Sequence, residues 1–278
     1  MMNTIIFPTD FSSIADNALH YAIEIARRTQ ARLLVLHAYH VPVLAPLGGT
    51  YTQIAPAEDI EKELRERLED HCRQLRENYP DINFDTRIIS GLLVDVLPGF
   101  ARETGADLII MGSEGASGVR QALVGTHSAE VLAEATCPVL VVPVQAHFHG
   151  IEQIVFATDL ISEPSPDMRM VVDLARLFDA EISFVYVPIN GQQDLTEDDW
   201  RKFYQGYTYN KVSFHVQEGS AVSEGLEAFC TKMAADLIVM INHRRKFWDE
   251  LFVVSQTKQM AYQTHIPLLA IHDSTASV

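Results

Sequence analysis

Ala106-Asp-Leu-Ile-Ile-Met111 and Ala235-Asp-Leu-Ile-Val-Met240 are nearly the same stretch, repeated 129 residues further along the chain. Each is a short continuous apolar run, the pattern of a strand buried on both faces of a parallel sheet. Outward from this pair the correspondence continues in the same order. Thr4-Ile-Ile-Phe-Pro-Thr-Asp-Phe-Ser12 matches Gln153-Ile-Val-Phe-Ala-Thr-Asp-Leu160, and Cys137-Pro-Val-Leu-Val-Val142 matches Ile266-Pro-Leu-Leu-Ala-Ile271. The offset is 149 between Asp10 and Asp159 but 129 between Pro138 and Pro267, so the second copy lacks about 20 residues in its middle. The boundary falls in the polar stretch Gln145–Gly150, dividing the chain into residues 1–146 and 150–278.

Within the first copy, apolar runs alternate with amphipathic ones. Strands are expected at Ile5–Pro8, Arg32–Ala38, Asn83–Ile89, Asp107–Met111 and Pro138–Pro143. Helices are expected from Ser12, as N-cap, to about Thr29, then at Glu58–Asn78, Leu92–Glu103 and His127–Ala135, with Pro98 arguing against the third. Strand–helix alternation with right-handed crossovers predicts an α/β fold, a doubly wound parallel five-stranded sheet in each half. In the second half, Pro188–Tyr209 replaces the longer connection and has no clear periodicity.

Ligands of such sheets sit beyond the carboxyl ends of the strands where the strand order reverses. For the order 3-2-1-4-5 that place lies between strands 1 and 4. The segments leaving those strands are Pro8-Thr9-Asp10-Phe11-Ser12 and Gly112-Ser113-Glu114-Gly115. The second runs on to Gly125-Thr126-His127-Ser128, at the start of a helix. Glycine lets backbone N–H groups approach an anion closely, and the helix N-terminus adds unpaired donors and partial positive charge. Thr126 and Ser128 add hydroxyls, and Arg120 is the one fixed positive charge in the segment. The loop therefore suits phosphate. A tight turn shaped by glycine is the alternative reading.

At these residues the chain resembles the universal stress protein family. Gly112, Gly115, Gly125 and Thr126 fill the Gly-x2-Gly-x9-Gly-(Ser/Thr) spacing of its nucleotide-binding members. Pro8-Thr9-Asp10-Phe11-Ser12 is similar to the family's first-strand signature, and Cys137–Val142 to its last strand. The resemblance covers both halves and implies two Rossmann-like domains of the adenine nucleotide alpha hydrolase type, each in strand order 3-2-1-4-5. It also implies ATP, with Mg2+, as ligand of the first half. Asp10, after Pro8 and Thr9, would face ribose or adenine, and Ala38 would meet adenine through its backbone. Met111 and Gly112 would flank the ribose. Gly115, Gly125, Thr126 and His127 would hold the phosphates, assisted by Ser128. Without the resemblance, Asp10 reads equally as a helix-capping carboxylate, Ala38 as strand packing and Met111 as core.

The second half departs from this pattern. Ile241, Arg244 and Val254 stand where the first half has Gly112, Gly115 and Gly125, while Ser255 keeps the hydroxyl of Thr126 and Asp159 keeps the carboxylate of Asp10. A β-branched side chain resists positive φ and crowds a phosphate. The second half is therefore expected not to bind ATP in the same way.

The chain's 37 acidic against 21 basic residues, a formal charge of −16, argue against nucleic-acid and anionic-membrane partners. Cys72, Cys137 and Cys230 are odd in number and widely spaced, which suits a reducing compartment rather than a disulfide framework or a zinc site. A cytoplasmic location is expected, with no signal peptide or membrane span. His243-Arg244-Arg245-Lys246 reads as a solvated basic loop or an anion contact, His147 and His149 as linker or metal ligands, and His37, Tyr39 and His40 as pocket rim or ordinary packing. Val139–Val144, as the last strand, has a bare apolar edge that invites pairing. The two halves are expected to pair there, Pro138–Val144 against Pro267–His272, as an internal pseudo-dimer, with a homodimer of chains left open.

Three functions compete: a nucleotide-binding regulatory module with a protein partner of unknown identity, a slow ATPase, and an interaction protein that binds no nucleotide. Hydrolysis needs a positioned water, a base and charge stabilisation. Near the loop only Glu114 and His127 offer themselves, with no Walker lysine, so no catalytic or metal-ligating residue is assigned.

Overall fold

The computed structural model describes residues 2–40, 57–113, 126–158, 168–188, 196–205, 207–242 and 265–272. The first half runs β1 (Thr4–Pro8), α1 (Ser13–Thr29), β2 (Arg32–Tyr39), α2 (Ala57–Asn78), β3 (Phe84–Ser90), α3 (Leu93–Thr104), β4 (Leu108–Gly112), α4 (Thr126–Glu134) and β5 (Val139–Val142). The second runs β6 (Gln153–Ala157), α5 (Met168–Phe178), β7 (Glu181–Tyr186), α6 (Glu197–Phe203), β8 (Val212–Val216), α7 (Val222–Met233), β9 (Leu237–Asn242) and β10 (Leu268–His272).

Within each half every strand pairing is parallel, and both halves adopt the order 3-2-1-4-5. The two five-stranded sheets do not stand apart. β5 and β10 pair antiparallel, Leu140 opposite Leu269, and fuse them into one ten-stranded sheet. The expected pairing of the last strands is thus present within the chain. β1, β4 and β5 are almost wholly buried because helices cover both faces, which is why their sequences are apolar without alternation.

The repeat extends to backbone details. Asp107, just before β4, accepts hydrogen bonds from the N–H groups of Asn3 and Thr4 at 2.6 and 3.0 Å, tying β4 to the start of β1. Asp236 does the same before β9, accepting from Glu152 and Gln153 at 2.8 and 2.9 Å. Ser12 caps α1 by accepting from the Ala15 N–H. The residue ending α1, Gln30, and its repeat mate ending α5, Asp179, are both left-handed, with φ of 58° and 57°. The same holds for Gly105 after α3 and Ala234 after α7, at 60° and 51°. Pro98 lies inside α3 without ending it, and its neighbour Leu97 is fully buried.

The stretch without periodicity contains the short α6. Its Trp200 and Phe203 are buried in an aromatic cluster, with Phe203 5.6 Å and Phe214 5.3 Å from the Phe184 ring. Aromatic packing replaces the amphipathic face of α2 there, so no 3.6-residue pattern was available to read.

The left-handed Ala234 yields a direct comparison with Gly105. Alanine carries a steric penalty in that region that glycine lacks. Ala234→Gly should therefore raise unfolding stability by about 1 kcal/mol, and Gly105→Ala should lower it by a similar amount, both measured by urea denaturation.

Candidate functional site

The sheet order places β1 beside β4, with Ile5 opposite Leu108 and Ile6 opposite Ile109. Their carboxyl ends, Pro8–Asp10 and Met111–Ser113, therefore emerge side by side with no strand between them, since β2 lies on the far side of β1 and β5 on the far side of β4. The α1 and α4 helices start from these two ends.

The β1 exit is held at every residue. The N–H of buried Thr9 donates to the Leu36 carbonyl at 2.8 Å, carrying the ladder one step past β1. The Thr9 hydroxyl accepts from the Phe11 N–H at 3.0 Å. The Asp10 carboxylate is exposed and accepts from the Ser12 N–H at 3.0 Å, a local turn at the mouth of the loop. Phe11 takes φ of 61°, an uncommon conformation for a bulky residue, and this turns the chain sharply into α1. Three side chains hold it there. The Arg67 guanidinium lies 4.2 Å over its ring, the His37 ring is 4.7 Å away, and His71 meets it edge-on at 6.1 Å.

His37, on β2, has its Nδ1 2.7 Å from the Thr9 carbonyl oxygen. A carbonyl can only accept, so Nδ1 carries the proton. Ala38 pairs with Ile89 at the end of β2, half-buried. Tyr39 donates from its phenol to Glu61 of α2, and burial together with that carboxylate raises its pKa. His40 is exposed.

At the β4 exit, Met111 is buried and pairs with Val141, so its side chain belongs to the core. Gly112 is half-buried opposite Val142, and Ser113 continues the ladder with its N–H donating to the Val142 carbonyl. Ser128 is buried on α4, its hydroxyl 3.1 Å from both the Gly112 and the Ser113 carbonyl oxygens. It ties the first turn of α4 to the end of β4, a structural task that the sequence reading did not foresee. Thr126 and His127 open α4. Gly115 and Gly125 lie outside the described residues, as do Glu114, Arg120, Asp159 and His243–Lys246.

The structure therefore brings Pro8, Thr9, Asp10, Met111, Gly112 and the start of α4 to one end of the sheet, with Ala38 on the adjoining strand. It adds Phe11, Arg67 and His71, which the sequence reading did not assign to the site. His71 Nε2 is buried with no hydrogen-bond partner among the described residues. Only the position of Phe11 inside the loop was visible in the sequence, because α2 is joined to that loop by folding alone. No grouping of three or more His, Cys, Asp or Glu suited to a metal occurs among the described residues, and His147 and His149 are exposed on the linker.

A model of the universal stress protein family matches residues 1–143 and, separately, residues 150–272. The chain belongs to the universal stress protein family. It is similar to the universal stress protein MJ0531 of Methanocaldococcus jannaschii, 31% identical over 140 residues, which are 50% of this chain and 80% of that protein. It is likewise similar to a universal stress protein of Thermus aquaticus, 34% identical over 146 residues, 51% of this chain and 99% of the relative. One such relative thus corresponds to half of this universal stress protein. A solved universal stress protein from Archaeoglobus fulgidus superposes over 98% of this chain and 99% of its own with a TM-score of 0.72 at 16% identity, so it shares the fold of both halves. Among the described residues no helix is long and apolar enough to cross a membrane. All three cysteines are buried, and burial pushes the Cys72 and Cys230 thiols up to about 12.

Ser128→Ala would leave two carbonyl oxygens at the β4 exit without their shared buried donor. The loss should cost about 1–2 kcal/mol of stability, measurable by urea denaturation in the absence of any ligand.

Proposed function

We propose that residues 1–146 bind one adenine nucleotide, ATP with its Mg2+, across the ends of β1 and β4, and that occupancy tunes contact with a protein partner in a stress response. The observation that carries this reading is the Gly112, Gly115, Gly125, Thr126 spacing. It begins on β4, beside the β1 exit, and ends at the first residue of α4. In this reading the exposed Asp10 carboxylate accepts from ribose hydroxyls or the adenine amino group. The Ala38 backbone borders the base, and Met111 and Gly112 border the ribose. Backbone N–H groups at Gly115, Gly125, Thr126 and His127 take the phosphates, in the manner of a helix N-terminus.

The buried unpartnered Nε2 of His71, beside the loop that carries Asp10, supports a polar ligand at this end of the sheet. Membership of the family supports the same reading. Residues 150–278 serve as a structural partner domain, because their loop carries Ile241, Arg244 and Val254 in place of the three glycines. ATP shifts the protein between conformations only to the extent that it binds one of them better.

The test is extraction. The purified chain is denatured, and the released nucleotide is identified by chromatography and mass spectrometry. About one adenine nucleotide per chain is expected, with none from Gly125→Arg. Asp10→Ala should weaken ATP binding about tenfold, or about 1.4 kcal/mol, by titration calorimetry of the stripped protein. Unchanged stoichiometry in Gly125→Arg would refute the assignment. Release of ADP in place of ATP would favour slow hydrolysis over regulation alone.

A further inference from the structure

The antiparallel junction of β5 with β10 relates the two halves by an approximate two-fold axis, so features of one half recur in the other. At the amino ends of the strands, opposite to the nucleotide end, this creates two equivalent crevices. One involves Tyr21 of α1, Phe178 at the end of α5, and Asp236. The other involves their repeat mates, Met170, Thr29 and Asp107. The first crevice is filled. The linker between the halves lays Phe148 between Tyr21 and Phe178, with ring centroids 5.0 and 6.1 Å apart. Asn17 secures that linker by donating to the Pro143 and Ala146 carbonyls at 3.1 and 2.6 Å. Tyr21 is 4% exposed, and burial, with the Asp236 charge adding to it, pushes its phenol up to about 12.

A single linker can enter only one of the two crevices. The mate is a cavity of about 530 Å³ bordered by Thr29, Asp107 and Met170, a size within the range of about 300–1,000 Å³ typical of small-molecule sites. Its wall is apolar at Met2, Pro138, Leu174 and Leu177. Both of its carboxylates are engaged. Asp107 accepts from two backbone N–H groups, and Asp173 pairs with Arg176 at 3.3 Å. Two further guanidinium groups border it. Arg28 donates to the Leu177 carbonyl and lies over the Phe178 ring at 4.3 Å, which leaves its charge unneutralised by that contact. Arg169 is exposed, near enough to Tyr207 for its charge to oppose the upward shift that burial gives that phenol. In a chain of net charge −16, an apolar cavity bordered by such cations is a distinct chemical environment.

We propose that this cavity binds a small amphipathic anion, a carboxylate on an aromatic or aliphatic body. The body takes the place that Phe148 holds in the mate crevice, and the carboxylate meets Arg169 and Arg28 at the mouth. The symmetry supplies the shape of the ligand, since the corresponding positions of the other crevice, Tyr21 and Phe178, already accept a phenyl ring. The arginines supply its charge, because a guanidinium is matched to a carboxylate in both sign and donor geometry. The site is independent of the nucleotide reading.

The experiment uses the full chain and 4-phenylbutyrate in titration calorimetry. One molecule should bind per chain, and the neutral 4-phenylbutanol should bind several-fold more weakly. Met170→Trp, which fills the cavity, should reduce affinity at least about tenfold, and Arg169→Glu several-fold. Phe148→Ala, which opens the mate crevice where His20 and Leu177 stand at the positions of Arg169 and Arg28, should leave the stoichiometry at one. Absence of saturable binding to the wild-type chain would overturn the proposal, as would equal affinity in Met170→Trp with an unchanged circular dichroism spectrum. Gly125→Arg should leave 4-phenylbutyrate binding intact, so loss of the nucleotide site and loss of this one are told apart.

Discussion

Val139–Val142 forms a strand buried on both faces, and each five-stranded sheet ends at its fifth strand with a row of N–H and C=O groups seeking partners. An apolar edge of that kind cannot be left in water without inviting association. β10 meets this need from within the chain, through antiparallel pairing of Val139–Val141 with Leu268–Ala270. Much else follows from that junction. It makes one sheet of ten strands, sets the approximate two-fold axis, and brings α1 and α5 close enough for Phe148 to bridge them. It also creates two crevices where the linker can serve only one. Duplication of a single domain thus produced an asymmetry that neither half has alone.

At the opposite end of the strands, the candidate nucleotide site depends on adjacency. β1 and β4 are separated by about a hundred residues yet lie side by side, because the crossovers send β2 and β3 to one side and β5 to the other. The β1 exit is rigidly built. Phe11 holds a positive φ under the combined contacts of Arg67, His37 and His71, and the Thr9 and Asp10 side chains each accept a backbone N–H. Strain of this kind persists where the surroundings over-determine it, and it concentrates at functional sites. A preorganised loop loses little further entropy when a ligand arrives.

The two halves show how one fold keeps its architecture while its loop sequence diverges. The strand-tying carboxylates Asp107 and Asp236 are both present, as are both left-handed helix ends. Thr158 even repeats the backbone bond of Thr9, donating to Val185 as Thr9 donates to Leu36. These features stabilise the sheet whether or not a ligand binds. In the proposed function the three glycines answer to a different requirement, close approach of backbone to an anion, and they are among the positions at which the second half differs.

The sequence by itself determined the fold class, the duplication, the strand order within each half and the pairing of the last strands. The first two rest on continuous apolar runs and on repetition, which are local signals that survive without coordinates; the strand order came from the family resemblance, and the pairing of the last strands from the bare edge that this order leaves. It also marked Asp10 and the Gly112 to Thr126 spacing, because backbone freedom at glycine is visible residue by residue. Only the tertiary structure decided what touches these residues. Arg67 and His71 join Phe11 across a helix that begins 46 residues later in the chain, and no periodicity marks such a contact. Ser128, expected to face phosphate, turns its hydroxyl to the Gly112 and Ser113 carbonyls because its place on α4 faces the end of β4. The short α6 escaped reading because ring packing around Phe184 holds it, in place of an amphipathic stripe. The crevice that Phe148 fills, and its open mate, depend on how two helices from different halves converge. Sequence spacing carries no information about that distance.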